Sequence, residues 1–161
     1  MAAFSLESAH YTKQRVEIAL KNANPAIKAI FKALLDSLAQ DKRNVQLQFL
    51  PITAADIDTG ADGKVVATGV AKLYGAYLKR VSDVDTTGAY YNFADDATDN
   101  SAAGDVRAVL FANAASEEMI YVNPIGEPLA DGLVVSATTA AGGTTESAAT
   151  ESANGFVIVG G

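Results

Sequence analysis

Val45-Gln46-Leu47-Gln48-Phe49-Leu50-Pro51 alternates apolar and polar side chains with a period of two, the pattern of a strand with one face on a core and the other toward water. Val45, Leu47 and Phe49 share the apolar face, glutamines the opposite one, and Pro51 is expected to end the strand because it has no N–H to donate. The same texture continues toward the C-terminus in Val65-Val66-Ala67-Thr68, in the run from Val70 to Val81, in Ala89-Tyr90-Tyr91-Asn92-Phe93 and from Val106 to Phe111. Met119-Ile120-Tyr121-Val122, Leu133-Val134-Val135-Ser136 and Phe156-Val157-Ile158-Val159 complete it. Turn pairs separate these runs: Asp62-Gly63, Thr87-Gly88, Gly104-Asp105, Asn123-Pro124, Asp131-Gly132, Gly142-Gly143 and Asn154-Gly155. Seven or eight short strands without helical crossovers predict a mainly β chain, an antiparallel β-sandwich or jelly-roll-like domain.

Toward the N-terminus the period changes. Val16, Ile18, Ala19 and Leu20, then Ala26, Ile27, Ile30, Phe31, Leu34, Leu35 and Leu38, recur at helical spacing. Asn24-Pro25 divides them, with Asn24 as N-cap and Pro25 at the first helical position, where a missing N–H costs nothing. The second helix is expected from Pro25 to Ala39, with Lys28, Lys32 and Asp36 opposite its apolar face. The chain therefore divides into a short α-helical N-terminal arm, 1–43, and a sandwich domain, 44–161. The helical pair is expected to cover one end or face of the sheet, or to dock on a separate partner.

Charge follows the same boundary. Residues 1–43 carry seven basic and four acidic side chains, a balance of +3, and the rest carries five basic and fifteen acidic, a balance of −10. The total of −7 argues against nucleic acid as a partner, since phosphate binding rests on clustered Lys and Arg. The hydrophobic fraction of 49% overstates the core, because much of it is alanine, which buries little area per residue. A core thin per residue favours association. No apolar run approaches the ~20 residues that span a bilayer, so no membrane segment is expected. Met1 to Glu7 lacks the basic and apolar regions of a secretory leader.

Zero cysteines exclude disulfides, thiolate metal sites and a cysteine nucleophile, and the single histidine, His10, has no acid nearby in sequence to orient it. Asp56, Asp58 and Asp62 sit in a Gly-containing turn that superficially suits calcium, but the third ligand position is Gly60 and no glutamate closes the loop. It reads as a solvated turn, and no metal or cofactor is expected. Asp95-Asp96 with Asp99-Asn100 reads as an exposed acidic loop. Tyr74, Tyr77, Tyr90, Tyr91 and Tyr121 suit strand interiors, and alternatively a sugar-stacking platform. No enzyme is expected, because carboxylates alone would have to carry the chemistry.

Val70-Ala-Lys-Leu-Tyr-Gly-Ala-Tyr-Leu-Lys, Asp105-Val-Arg-Ala-Val-Leu-Phe, Asn123-Pro-Ile-Gly-Glu-Pro-Leu-Ala-Asp-Gly-Leu-Val-Val-Ser-Ala-Thr-Thr and the final Gly155-Phe-Val-Ile-Val-Gly together resemble the β-sandwich of small structural proteins in tailed-bacteriophage virions, over residues 65–161. The resemblance implies a capsid decoration or cement protein, or a head-fibre or tail subunit, without enzymatic activity and usually homotrimeric. It further implies the major capsid protein as partner, and the virion's capsid surface, after assembly in the host cytoplasm, as location. The basic arm is then the expected capsid-facing surface, through Lys13, Arg15, Lys28 and Lys32 with Phe31. The alternative is a receptor- or carbohydrate-binding module of a head fibre or tail, assisted by calcium.

Overall fold

A computed structural model describes residues 9–40, 46–57, 64–69, 72–81, 88–97, 105–138 and 153–160. Two helices come first, α1 (Ala9–Ala19) and α2 (Pro25–Gln40), then β1 (Leu47–Ile52) and a single turn, α3 (Ala54–Ile57). Seven further strands follow: β2 (Lys64–Thr68), β3 (Lys72–Arg80), β4 (Ala89–Asp95), β5 (Asp105–Ala112), β6 (Glu118–Pro128), β7 (Gly132–Thr138) and β8 (Ala153–Gly160). Each coincides with one of the alternating runs. The first strand extends past Pro51 to Ile52, which a proline permits because β1 is an edge strand.

The strands form two antiparallel four-stranded sheets, ordered β1-β8-β3-β6 and β2-β7-β4-β5. This order has a simple origin. The first four strands and the last four pair as one long antiparallel ribbon, β4 with β5, β3 with β6, β2 with β7 and β1 with β8. Alternate pairs fall into opposite sheets, and rolling the ribbon adds the contacts β3 with β8 and β4 with β7. The result is a jelly roll.

Period two then sorts side chains between two cores. From β3, Leu73, Ala76 and Leu78 point inward and join Tyr91, Phe93, Leu110, Leu133, Val135, Val157 and Val159 between the sheets. Tyr74 and Tyr77 of the same strand point outward, with Phe156 and Ile158 of β8 and Leu47 and Phe49 of β1. Against this outer face lie Val16 and Leu20 of α1 and Phe31, Leu34, Leu35 and Leu38 of α2. The molecule thus has three layers: helices, first sheet, second sheet. The helical pair covers a face of the sheet and shares its core.

Phe156 is the centre of the outer core, stacked on Phe49 at 4.9 Å and on Tyr77 at 5.6 Å, with Phe31 edge-on at 5.3 Å. A bulge between Leu73 and Gly75 in β3 turns Gly75 toward α2, where a Cβ would stand 3.2 Å from both Phe31 and Leu34. The glycine lets the helix sit close.

Candidate docking surface on the helical layer

Local sequence fixes the helices before packing does. Asn24 caps α2 as its position predicts: its Oδ1 accepts the N–H of Ala26 at 2.9 Å, two residues on. Glu118, at the start of β6, reaches this cap from the sheet. One carboxylate oxygen accepts the Asn24 N–H at 3.1 Å and the other accepts the Tyr77 hydroxyl at 2.8 Å, so a single side chain ties the helix entry to β3. Burial, and then this hydrogen bond, push the Tyr77 phenol well above its ordinary value.

The basic residues of the arm lie on two sides of this layer. Lys13 of α1 donates to Asp36 of α2 at 2.7 Å and crosslinks the two helices; their hydrogen bond chiefly raises the Lys13 ammonium and lowers the Asp36 carboxyl from their ordinary values. Lys28 donates to the Lys21 carbonyl at 2.7 Å. Lys13, Lys28 and Lys32 converge with Glu17 on the rim of a cleft of about 170 Å³ between the helices, whose apolar lining is Val16, Leu20 and Leu35. Arg15 lies elsewhere, its guanidinium 4.7 Å from the centre of the Phe49 ring on the edge strand β1. Phe31 has no exposed surface: its ring is part of the outer core, so the outward face that carries the lysines does not include it. Ile30, expected on the apolar stripe, is 38% exposed at its shoulder.

A wider, more open groove of about 400 Å³ lies where the α1–α2 turn meets the first sheet, with Asn22, Thr53, Lys79 and Asn154 as its polar rim. Asn154 already accepts the Ala54 N–H at 2.6 Å. Of the tyrosines considered for sugar stacking, Tyr74, Tyr77 and Tyr91 are core residues and Tyr121 is half-buried. Tyr90 lies on the outer face of the second sheet, its ring 4.7 Å from that of Phe111, which is 46% exposed.

The acidic stretch after β4 differs from its expected character. Asp95 is buried, not exposed: its carboxylate accepts the N–H groups of Ala130, Asp131 and Gly132, at 2.8–3.3 Å, and the Arg107 guanidinium at 3.2 Å. Burial alone would raise its carboxyl, but these donors outweigh it and hold the group below the ordinary carboxylate range. The sequence offers only an aspartate that ends an alternating strand; its place beside the turn pair Asp131-Gly132 comes from the pairing of β4 with β7. Glu118 and Tyr77, far apart in sequence, carry no such signal.

Asp99 and Asn100 lie outside the described residues, as do Asp58 to Gly63 and the side chains of His10 and Asp56, so the calcium-like turn has no structural account. Among the described residues no three His, Asp or Glu side chains gather as a metal site, and no helix is long and apolar enough to cross a membrane. No protein family, curated protein or solved structure matches the chain.

Proposed function

We propose that this protein is a non-enzymatic structural subunit of a virion shell, a cement or decoration protein that binds the major capsid protein through its helical layer and acts as a homotrimer. The jelly roll is the observation that supports this reading, by fold-level analogy: the architecture recurs in viral capsid domains, and in lectin domains as well. The electrostatics agree. Among the described residues, Tyr77 and Asp95 are buried groups with displaced pKa values, and both are used structurally: the Tyr77 hydroxyl donates to Glu118, which also accepts the Asn24 N–H at the start of α2, and Asp95 accepts the N–H groups of a turn. The basic layer on an otherwise acidic body gives one face a distinct charge, and repetition over a shell multiplies modest contacts into tight attachment. Attachment to a shell surface formed in the host cytoplasm needs neither nucleic acid nor membrane.

Removing residues 1–43 is an unsuitable test, since it would uncover Leu47, Phe49, Tyr74, Phe156 and Ile158. The clean test is charge reversal at exposed lysines, Lys28→Glu with Lys32→Glu, in the full chain, followed by co-sedimentation with capsids. Loss of binding with an unchanged melting temperature is expected; undiminished binding removes the helical layer from the interface.

The glycan-binding alternative shares the fold analogy and is favoured in addition by the partly exposed Tyr90–Phe111 pair on the second sheet. Binding on a glycan array, abolished by Phe111→Ala and without capsid affinity, would favour it.

A further inference from the structure

We infer that two copies of this chain associate by pairing their β5 strands edge to edge, antiparallel, across a two-fold axis at Leu110. β5 ends the second sheet, so among the described strands one side of its backbone has no neighbour. The other three edge strands carry features that oppose such pairing: Pro51 in β1, Lys64 and a bulge in β2, Pro124 and Pro128 in β6. β5 is guarded at one end only. Arg107 is the extra residue of a bulge opposite Phe93 and Ala94, and it is paired with Asp95 at 3.2 Å. Beyond it, Ala108 to Ala112 continue in unbroken register, without charge or proline.

The order of side chains decides which strand fits this edge. Ala108-Val109-Leu110-Phe111-Ala112 has the same pattern in both directions: alanine at each end, a bulky apolar residue next to it, leucine at the centre. Antiparallel pairing with a second β5 about Leu110 therefore sets Ala108 against Ala112 and Val109 against Phe111, each twice over, as a two-fold contact requires. Period two sends these pairs to different faces. Leu110 and the two alanines point inward, so the core between the sheets continues from one copy into the next. Val109 and Phe111, 38% and 46% exposed, meet on the outer face as a β-branched residue against an aromatic one, a favourable cross-strand pair.

The outer row is in place before a partner arrives. Tyr90 stands opposite Phe111 with the rings 4.7 Å apart, and a Cβ at Gly88 would collide with the Phe111 ring, so glycine there makes room for it. The Ala112 carbonyl accepts Nη1 of the buried Arg80 at 3.2 Å and keeps a second lone pair for the ladder. The other exposed apolar side chains offer no comparable edge. Tyr11, Ile18 and Ile30 are on helices, Val81 lies past the end of β3, and at Ile125 the Asn123 Oδ1 already accepts the N–H groups of Ile125 and Gly126. Five residues from each copy make a contact below the ~1,200 Å² of stable complexes, so it is weak in dilute solution; at fixed spacing on a larger assembly its effective concentration rises. The contact adds to the proposed trimer and does not depend on the shell reading.

The test uses the full chain, which has no cysteine of its own. Val109→Cys mixed with Phe111→Cys is expected to form disulfide-linked pairs in air about tenfold faster than either variant alone, because only the mixed pair stands directly opposite. Sedimentation of the wild-type chain should show a mass that rises further with concentration. Val109→Lys with Phe111→Lys should weaken this association about tenfold or more, with the melting temperature as control for folding, and mixing that variant with Val109→Glu, Phe111→Glu should restore it. Crosslinking as fast in either cysteine variant alone, or association indifferent to the lysines, overturns the inference. So does a mass constant up to millimolar concentration, which would leave the edge to a foreign strand. Mixed crosslinking as expected without capsid binding sustains the pairing and refutes the shell reading. Capsid binding without mixed crosslinking does the opposite.

Discussion

Asp95 joins three stretches of chain that are remote in sequence: the end of β4, the turn before β7 through three backbone N–H groups, and β5 through Arg107. Its removal takes the acceptor from a buried N–H at Gly132 and from part-buried donors at Ala130, Asp131 and Arg107. Asp95→Ala is expected to cost on the order of 3 kcal/mol in urea unfolding, and Asp95→Asn less because one acceptor oxygen remains. The pH dependence has a defined sign. A carboxyl whose folded-state pKa is depressed contributes fully above its unfolded value of ~3.9 and loses that contribution as pH falls through the folded value. The stability gap between wild type and Asp95→Asn should therefore hold near neutrality and close on acidification; a gap that widens in acid contradicts it. Tyr77 is the mirror case. Its raised phenol stabilises the fold below the unfolded value of ~10 and stops doing so as pH rises through the folded value, so alkali should loosen the α2 cap. Tyr77→Phe should cost about 1 kcal/mol at neutral pH and remove this alkaline loss, read by helical circular dichroism against pH.

At the scale of elements, the helical layer depends on close approach to β3. Gly75→Val would press methyl groups onto Phe31 and Leu34, where even a Cβ stands at 3.2 Å; a loss of roughly 1–3 kcal/mol is expected, with α2 loosened before the sandwich melts. Phe31→Ala, which empties the space beside Phe156, should cost about 3–5 kcal/mol. Denaturation followed by helical signal and by tyrosine fluorescence together checks both. These elements were legible in advance because their signals are local: Asn24-Pro25 marks the start of α2, and alternation marks every strand. The bulge that turns Gly75 outward was not legible, since Tyr74-Gly75-Ala76 alternates no differently whether the bulge is present or absent. Ile18 shows the same limit from the other side. It belongs to the helical run of α1 yet is 76% exposed, because Val16 and Leu20 already fill the contact with the sheet.

For the whole molecule, alternation and turn pairs indicate how many strands there are but not which ones meet. β1 pairs with β8 from the opposite end of the described chain, and that partnership comes from the rolled ribbon, which no short segment encodes. The basic cleft was half legible: Lys28 and Lys32, four apart on α2, share a face by helical spacing, whereas Lys13 joins them only through the packing of α1 on α2. Phe31, singled out with them by the same pattern, went to the core because its ring meets Phe156. The division into a basic layer and an acidic body therefore describes a charged face on one continuous structure, and this face is where attachment is proposed. The most direct test of that proposal is the mass of the full chain in solution, measured by sedimentation alone and then with purified capsids that lack it. The expected result is a trimer by itself and many copies bound per shell, released by salt and by Lys28→Glu with Lys32→Glu. A chain that stays free of the capsids at low salt would contradict it.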